Sequence, residues 1–113
     1  MITTRQSIAD ALSIVEGVTG YAKQPKVTKA GDAWALVNSL TRGPGKAFET
    51  EWRIAVTIAA DPDTAAERFD SLIPEVAQAL ESQDVAYVDS ARPIAVPTEA
   101  GDLYGAEILA RSE

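Results

Sequence analysis

The sequence predicts an α+β fold in the order α-β-β-β-α-β-β, with a mostly antiparallel sheet and two helices packed on one of its faces. Three observations carry that prediction. A strand opening at Phe48 places Phe48, Trp52, Ile54, Val56 and Ile58 on one face and Glu49, Glu51, Arg53 and Thr57 on the other. Apart from Thr50, which is out of step, this is the period-two pattern of a strand buried on one side. Asp61-Pro62-Asp63 then stops the strand and starts a helix, with Asp61 as cap, Pro62 in the first turn and Asp63 at the positive helix end. Ala65, Phe69, Leu72, Ile73, Val76 and Leu80 follow at helical spacing and supply a face to lay back across the strand. Finally, the other long strands are joined by turn clusters that favour hairpins. Hairpin-linked strands with two helices to cover one face make an α+β sandwich.

The elements follow in order. Thr3 and Gln6 stand at capping-box spacing before Ile8, Ala11, Leu12 and Val15, and Gly17 suits a left-handed helix end. A helix over 4–16 is therefore expected, then a short strand over 18–22. Residues 23–32 hold three lysines and a proline without periodicity and read as an exposed loop. A strand over 33–41 has Trp34, Leu36 and Leu40 on one side, and the turn cluster Arg42-Gly43-Pro44-Gly45-Lys46 pairs it with the strand from Phe48. Both tryptophans are expected to fill the space between sheet and helices or to pack in an interface. Pro74 is expected to kink the second helix, which continues to about Ser82 because the apolar spacing carries through. A strand over 85–96 contains Pro93 and is followed by Pro97, which suits an edge or a bent path. In the last strand, over 103–111, Leu103, Gly105, Glu107, Leu109 and Arg111 alternate with Tyr104, Ala106, Ile108 and Ala110.

A chain of 113 residues is expected to form one domain spanning 1–113, with 46% hydrophobic residues to build its core. It has no cysteine and no histidine, which removes disulfides, thiolate chemistry and the commonest general base and zinc ligand. No stretch reaches the roughly 18 apolar residues of a membrane span. The start lacks a basic segment followed by an apolar run, so no signal peptide is expected. The net charge of −7 is unevenly divided. Residues 1–60 carry seven basic and five acidic side chains, a net of +2, and residues 61–113 carry three and twelve, a net of −9. An acidic chain is a poor candidate for gripping nucleic-acid phosphates. The asymmetry suits either a solvated acidic helix face or a molecule whose two ends meet complementary neighbours.

The candidate chemistry is thin. Asp61 and Asp63 are explained by helix starting. Glu49 and Glu51, with Asp89, have the residue types for a divalent cation, but outward carboxylates on a strand are ordinary solvation. Gly43-Pro44-Gly45-Lys46 lacks the second half of a phosphate-loop motif and leads into a strand, so no anion site is expected there. No catalytic constellation, cofactor site or metal site emerges, and a non-enzymatic role is expected.

Several strings together resemble the tail terminator proteins of long-tailed phages, especially those of actinobacterial hosts. They are Ile8-Ala9-Asp10-Ala11-Leu12 closing at Val15-Glu16-Gly17-Val18, the middle Trp52-Arg53-Ile54-Ala55-Val56-Thr57-Ile58, and Asp61-Pro62-Asp63-Thr64-Ala65-Ala66-Glu67-Arg68-Phe69. Val76-Ala77-Gln78-Ala79-Leu80 and Gly101-Asp102-Leu103-Tyr104-Gly105-Ala106-Glu107-Ile108 complete the pattern, which covers nearly the whole chain. The resemblance implies a small α+β subunit of the virion, made in the host cytoplasm, that closes into a ring, usually a hexamer, on the head-proximal end of the tail tube. Its implied partners are further copies of itself, the major tail tube protein and a head-side connector or stopper protein. DNA would pass through the lumen without specific binding, and no membrane is involved. On that reading the interface is expected at the 23–32 loop with Lys23, Lys26 and Lys29, at the turn with Arg42 and Lys46, and at the sheet edges with Glu49, Glu51 and Arg53. Two other readings are another phage neck protein of similar fold and a small ligand-binding or regulatory module.

Overall fold

The computed structural model describes residues 3–42, 45 and 48–112. Its element order is the expected one: α1 (Arg5–Leu12), β1 (Thr19–Tyr21), β2 (Asp32–Arg42), β3 (Phe48–Ala59), α2 (Pro62–Ser82), β4 (Tyr87–Thr98) and β5 (Gly101–Ser112). The five strands form one sheet in the order β1-β2-β3-β5-β4. Only the β1–β2 pair is parallel. The fold is therefore α+β.

Both helices lie on the same face of the sheet. Ile54 pairs with Ile108 and Val56 with Ala106, so these side chains share the covered face. There they meet Ile8 and Leu12 of α1 and Leu72, Val76 and Leu80 of α2 in one buried cluster. Of the two alternating sets of β5, which the sequence does not assign to a side, Ala106, Ile108 and Ala110 turn inward. At Gly105 the strands approach closely beside a register shift in β3. A β-carbon there would lie 2.0 Å from the Val56 carbonyl oxygen.

The helix boundaries differ from expectation for identifiable reasons. The capping box of α1 is one residue later: Thr4 accepts from the Ser7 N–H at 3.0 Å, and the Ser7 hydroxyl oxygen accepts from the Thr4 N–H at 2.8 Å. Thr3 instead donates its hydroxyl to the Val85 carbonyl at 2.6 Å. The helix stops at Leu12 and not at residue 16. The Ser13 hydroxyl donates to the Ala9 carbonyl and accepts the Gly20 N–H, both at 2.9 Å. The following residues turn through i→i+3 bonds, which leaves Ile14 in solvent and returns Val15 to the core. Gly17 keeps the predicted positive φ, at 83°.

The second helix is one element from Pro62 to Ser82 with Pro74 inside it. Pro74 is exposed, so the Asp70 carbonyl that loses its partner can be met by water. Strand β4 runs 87–98, about two residues later than expected, because α2 ends in a turn. Asp84 takes φ 55°, and the Val85 N–H returns to the Leu80 carbonyl at 3.0 Å.

Two predictions follow from these local structures. Gly105→Ala forces β3 and β5 apart and is expected to cost about 3 kcal/mol, the upper end of overpacking. Urea unfolding checks it, and a loss no larger than that of an exposed substitution contradicts the close approach. Asp61 accepts from the Thr64 hydroxyl at 2.7 Å and the Thr64 N–H at 3.0 Å, which holds its carboxyl below the ordinary carboxylate range. Its stabilisation is present above the unfolded pKa and lost as pH falls through the depressed folded one. Asp61→Asn keeps a capping side chain and should flatten the acid limb of the stability–pH curve. An unchanged limb would remove this carboxylate from the acid response.

Candidate assembly surface

The strands β2 and β3 outlast the helices that cover them. Over β2 the first four residues are buried and the remaining seven are exposed. The covered face can be followed outward by register. Val37 pairs with Trp52, Leu40 with Thr50 and Arg42 with Phe48, past an irregularity at Asn38. Trp52 closes the core, its indole N–H donating to the Ser112 hydroxyl at 2.9 Å. Beyond it, Val37, Leu40 and Phe48 continue the same apolar face as an exposed stripe, with Leu40 at 60% and Phe48 at 51% exposure. The face predicted for Phe48 is right and its burial is not, because neither helix extends over it. The Arg42 guanidinium lies over the Phe48 ring, 4.9 Å from its centroid.

The helix-free face is divided. Its centre carries a charged ladder in which Glu107 is flanked by Arg92 at 2.9 Å and Arg53 at 3.7 Å. Arg111 pairs with Asp89 at 3.3 Å and lies over the Tyr87 ring. The end nearest β1 is covered. Trp34 pairs with Ala55 and so sits opposite the Trp52 face, yet it is only 4% exposed. This corrects the expectation that Trp34 fills the layer between sheet and helices. Thr57, expected on an outward face, is 0% exposed. Both lie on the side crossed by the 22–31 connection. The Thr57 hydroxyl is 2.9 Å from the Lys29 carbonyl and 2.8 Å from that of Asp32, and the Gly31 N–H donates to the Thr57 carbonyl at 2.9 Å. Asp32 adds a bond from the Lys29 N–H at 2.9 Å. Gln24, Lys26, Val27 and Thr28 then share a cleft with the β4–β5 turn around Thr98 and Glu99. The loop is thus a strap tied to the sheet, with its lysines outward.

The predicted site residues do not form one site. Lys23, Lys26 and Lys29 are exposed on the strap, and Arg42 and Glu49 are exposed on the arm of β2 and β3. Glu51 is half-buried and accepts from the Asn38 amide. Arg53 belongs to the Glu107 ladder. Lys46 lies outside the described residues. Among the described residues, no three potential ligands converge on a metal site, and no helix is long and apolar enough to cross a membrane. Leu40, expected on one side with Trp34 and Leu36, lies instead on the Val37 face, because the irregularity between Val37 and Ser39 inserts one residue and reverses the alternation.

The sheet edges are also unequal. β1 covers only Asp32 to Trp34 of β2, leaving the rest of that outer edge unpaired among the described residues. The opposite edge, β4, carries Pro93 and Pro97, which cannot donate to a further strand. Among the described residues, two of the open grooves flank α2. One, of about 650 Å³, lies between the start of α2 and the β4–β5 hairpin and is lined by Ala65, Ala66, Phe69, Pro93, Ile94 and Tyr104. The other, of about 500 Å³, lies below the end of α2, where Glu81, Asp84 and Arg111 make it polar. Comparison with protein-family models, curated proteins and solved structures finds no match to this chain.

Thr57→Val removes the hydroxyl bonded to the strap, at a cost of about 1 kcal/mol for the lost hydrogen bonding, since the Lys29 carbonyl keeps the Asp32 N–H. Trypsin should then cut faster after Lys23, Lys26 or Lys29 under native conditions. Unchanged cleavage would mean that the strap is held by something other than Thr57.

Proposed function

We propose that this chain is a ring-forming structural subunit, a tail terminator of a long-tailed phage. On this reading it caps the head-proximal end of the tail tube, ends tube growth and docks the head-side connector. The observation that carries the reading is the arm. An apolar stripe of Val37, Leu40 and Phe48 is left uncovered at one end of a subunit measuring 46 × 26 × 21 Å, as a surface made for a neighbour would be. The fold class has the layers that the sequence resemblance implies. The charge division, +2 against −9, supplies unlike patches of the kind that head-to-tail closure uses. An acidic ring would pass DNA without gripping its phosphates.

Ligand binding by a monomeric module draws less support, since the grooves among the described residues are open and none closes around convergent polar groups. The test is absolute mass by light scattering over a concentration series, with negative-stain images, followed by addition to polymerising tail tubes. Rings of defined order, or tubes halted at defined length, are expected. A protein that stays monomeric and leaves tube growth unchanged overturns the reading.

A further inference from the structure

We propose that the arm stripe of one copy seats in the groove between α2 and β4–β5 of the next copy, with Arg42 meeting the acidic rim of that groove. This rests on the ring reading and names the contact that would build it. The two surfaces are alike in chemistry. Val37, Leu40 and Phe48 form an apolar strip on one, and Ala65, Ala66, Phe69, Pro93, Ile94 and Tyr104 form an apolar floor on the other. Burying both removes from water the largest exposed apolar surface of the arm.

They are opposite in charge. Arg42 caps the strip, exposed and without an ion pair among the described residues. Asp70 lines the groove. Asp63 and Glu67 stand on the same stripe of α2 at i, i+4 and i+7, also exposed. The first turns of α2 thus present three carboxylates beside an apolar floor. A cation at the end of an apolar strip is the complement of that arrangement.

Position makes the contact intermolecular. The strip lies where β3 begins, and the groove lies where β3 ends, since Tyr104 pairs with Ala59. Along β3 the Phe48 end of the strip lies roughly 35 Å from Ala59, and its Val37 end, at Trp52, roughly 23 Å. A copy cannot fill its own groove with a strip that far away along a stiff sheet. Two different patches at opposite ends make a heterologous contact, which repeats head to tail and closes when the rotation permits. The groove takes in Pro93 of β4, a residue that cannot donate to a further strand, so the contact is made by side-chain packing and not by a further sheet ladder.

Charge reversal tests it. Arg42→Glu and Asp70→Arg are each expected to weaken assembly at least tenfold, read as the concentration for half-assembly or for half-maximal tube capping. Circular dichroism of each should match the parent. The double variant Arg42→Glu with Asp70→Arg restores the pairing at every contact and should recover most of that loss. A second readout uses the absence of native cysteine. A mixture of Phe48→Cys and Ala66→Cys should give a mixed dimer with a short bis-maleimide, and either variant alone should not. If the parent assembles while the double variant is no better than the singles and the mixed dimer does not form, this contact is overturned and the ring stands. If the parent neither assembles nor caps tubes, the ring reading falls and the contact with it.

Discussion

The packing of α1 and α2 onto Trp52, Ile54, Val56 and Ile58 is the interaction on which the rest of the structure depends. The sheet presents one apolar face, and every other feature is a consequence of how far the helices extend along it. Ile8 and Leu12 cover the side toward β1, and Leu72, Val76 and Leu80 cover the centre. Where the helices end, at the level of Trp52, the alternation continues for two more pairs without a cover. An apolar face that outruns its covering layer is energetically out of place in an isolated subunit. That mismatch is the physical basis for reading the arm as an assembly surface.

The helix-free face is closed by different means. A strap without regular structure crosses it, tied by the Thr57 hydroxyl and the Asp32 carboxylate, and under it Trp34 and Thr57 are sealed from water. Further along, the face relies on ion pairs between Arg53, Glu107 and Arg92, which remain partly exposed. One sheet therefore has an oily side, a strapped end and a charged centre. Charged side chains on the open centre keep it wetted, so the surfaces offered to neighbours are confined to the arm and the grooves.

Confinement matters for a subunit that must choose one neighbour geometry. A sheet with two free edges would extend by strand pairing without limit. Here Pro93 and Pro97 block the β4 edge, while β1 covers only the start of the β2 edge. In the proposed ring, association would run through side chains of the arm and the groove. Such contacts are salt-sensitive where Arg42 and the α2 carboxylates take part, and insensitive where Phe48 and Leu40 are buried.

Much of the fold was legible in the residues. The order of seven elements, the shared face of Trp52, Ile54 and Val56 and the Asp61 cap follow from periodicities and capping chemistry that act within a few residues. The exposure of Arg42 was legible, since its turn was among the elements expected to be exposed. The apolar stripe of the arm was not. Phe48 looks like a core residue by alternation, which reports the face a side chain takes and not what lies above it, and Leu40 joins that face only through the irregularity at Asn38. Trp34 and Thr57 show the converse, buried by a strap whose sequence carries no period. The sequence by itself determined the type and order of the elements and the apolar sides of β3 and α2. Only the tertiary structure decided which parts of those sides are covered, because burial depends on the reach of distant elements.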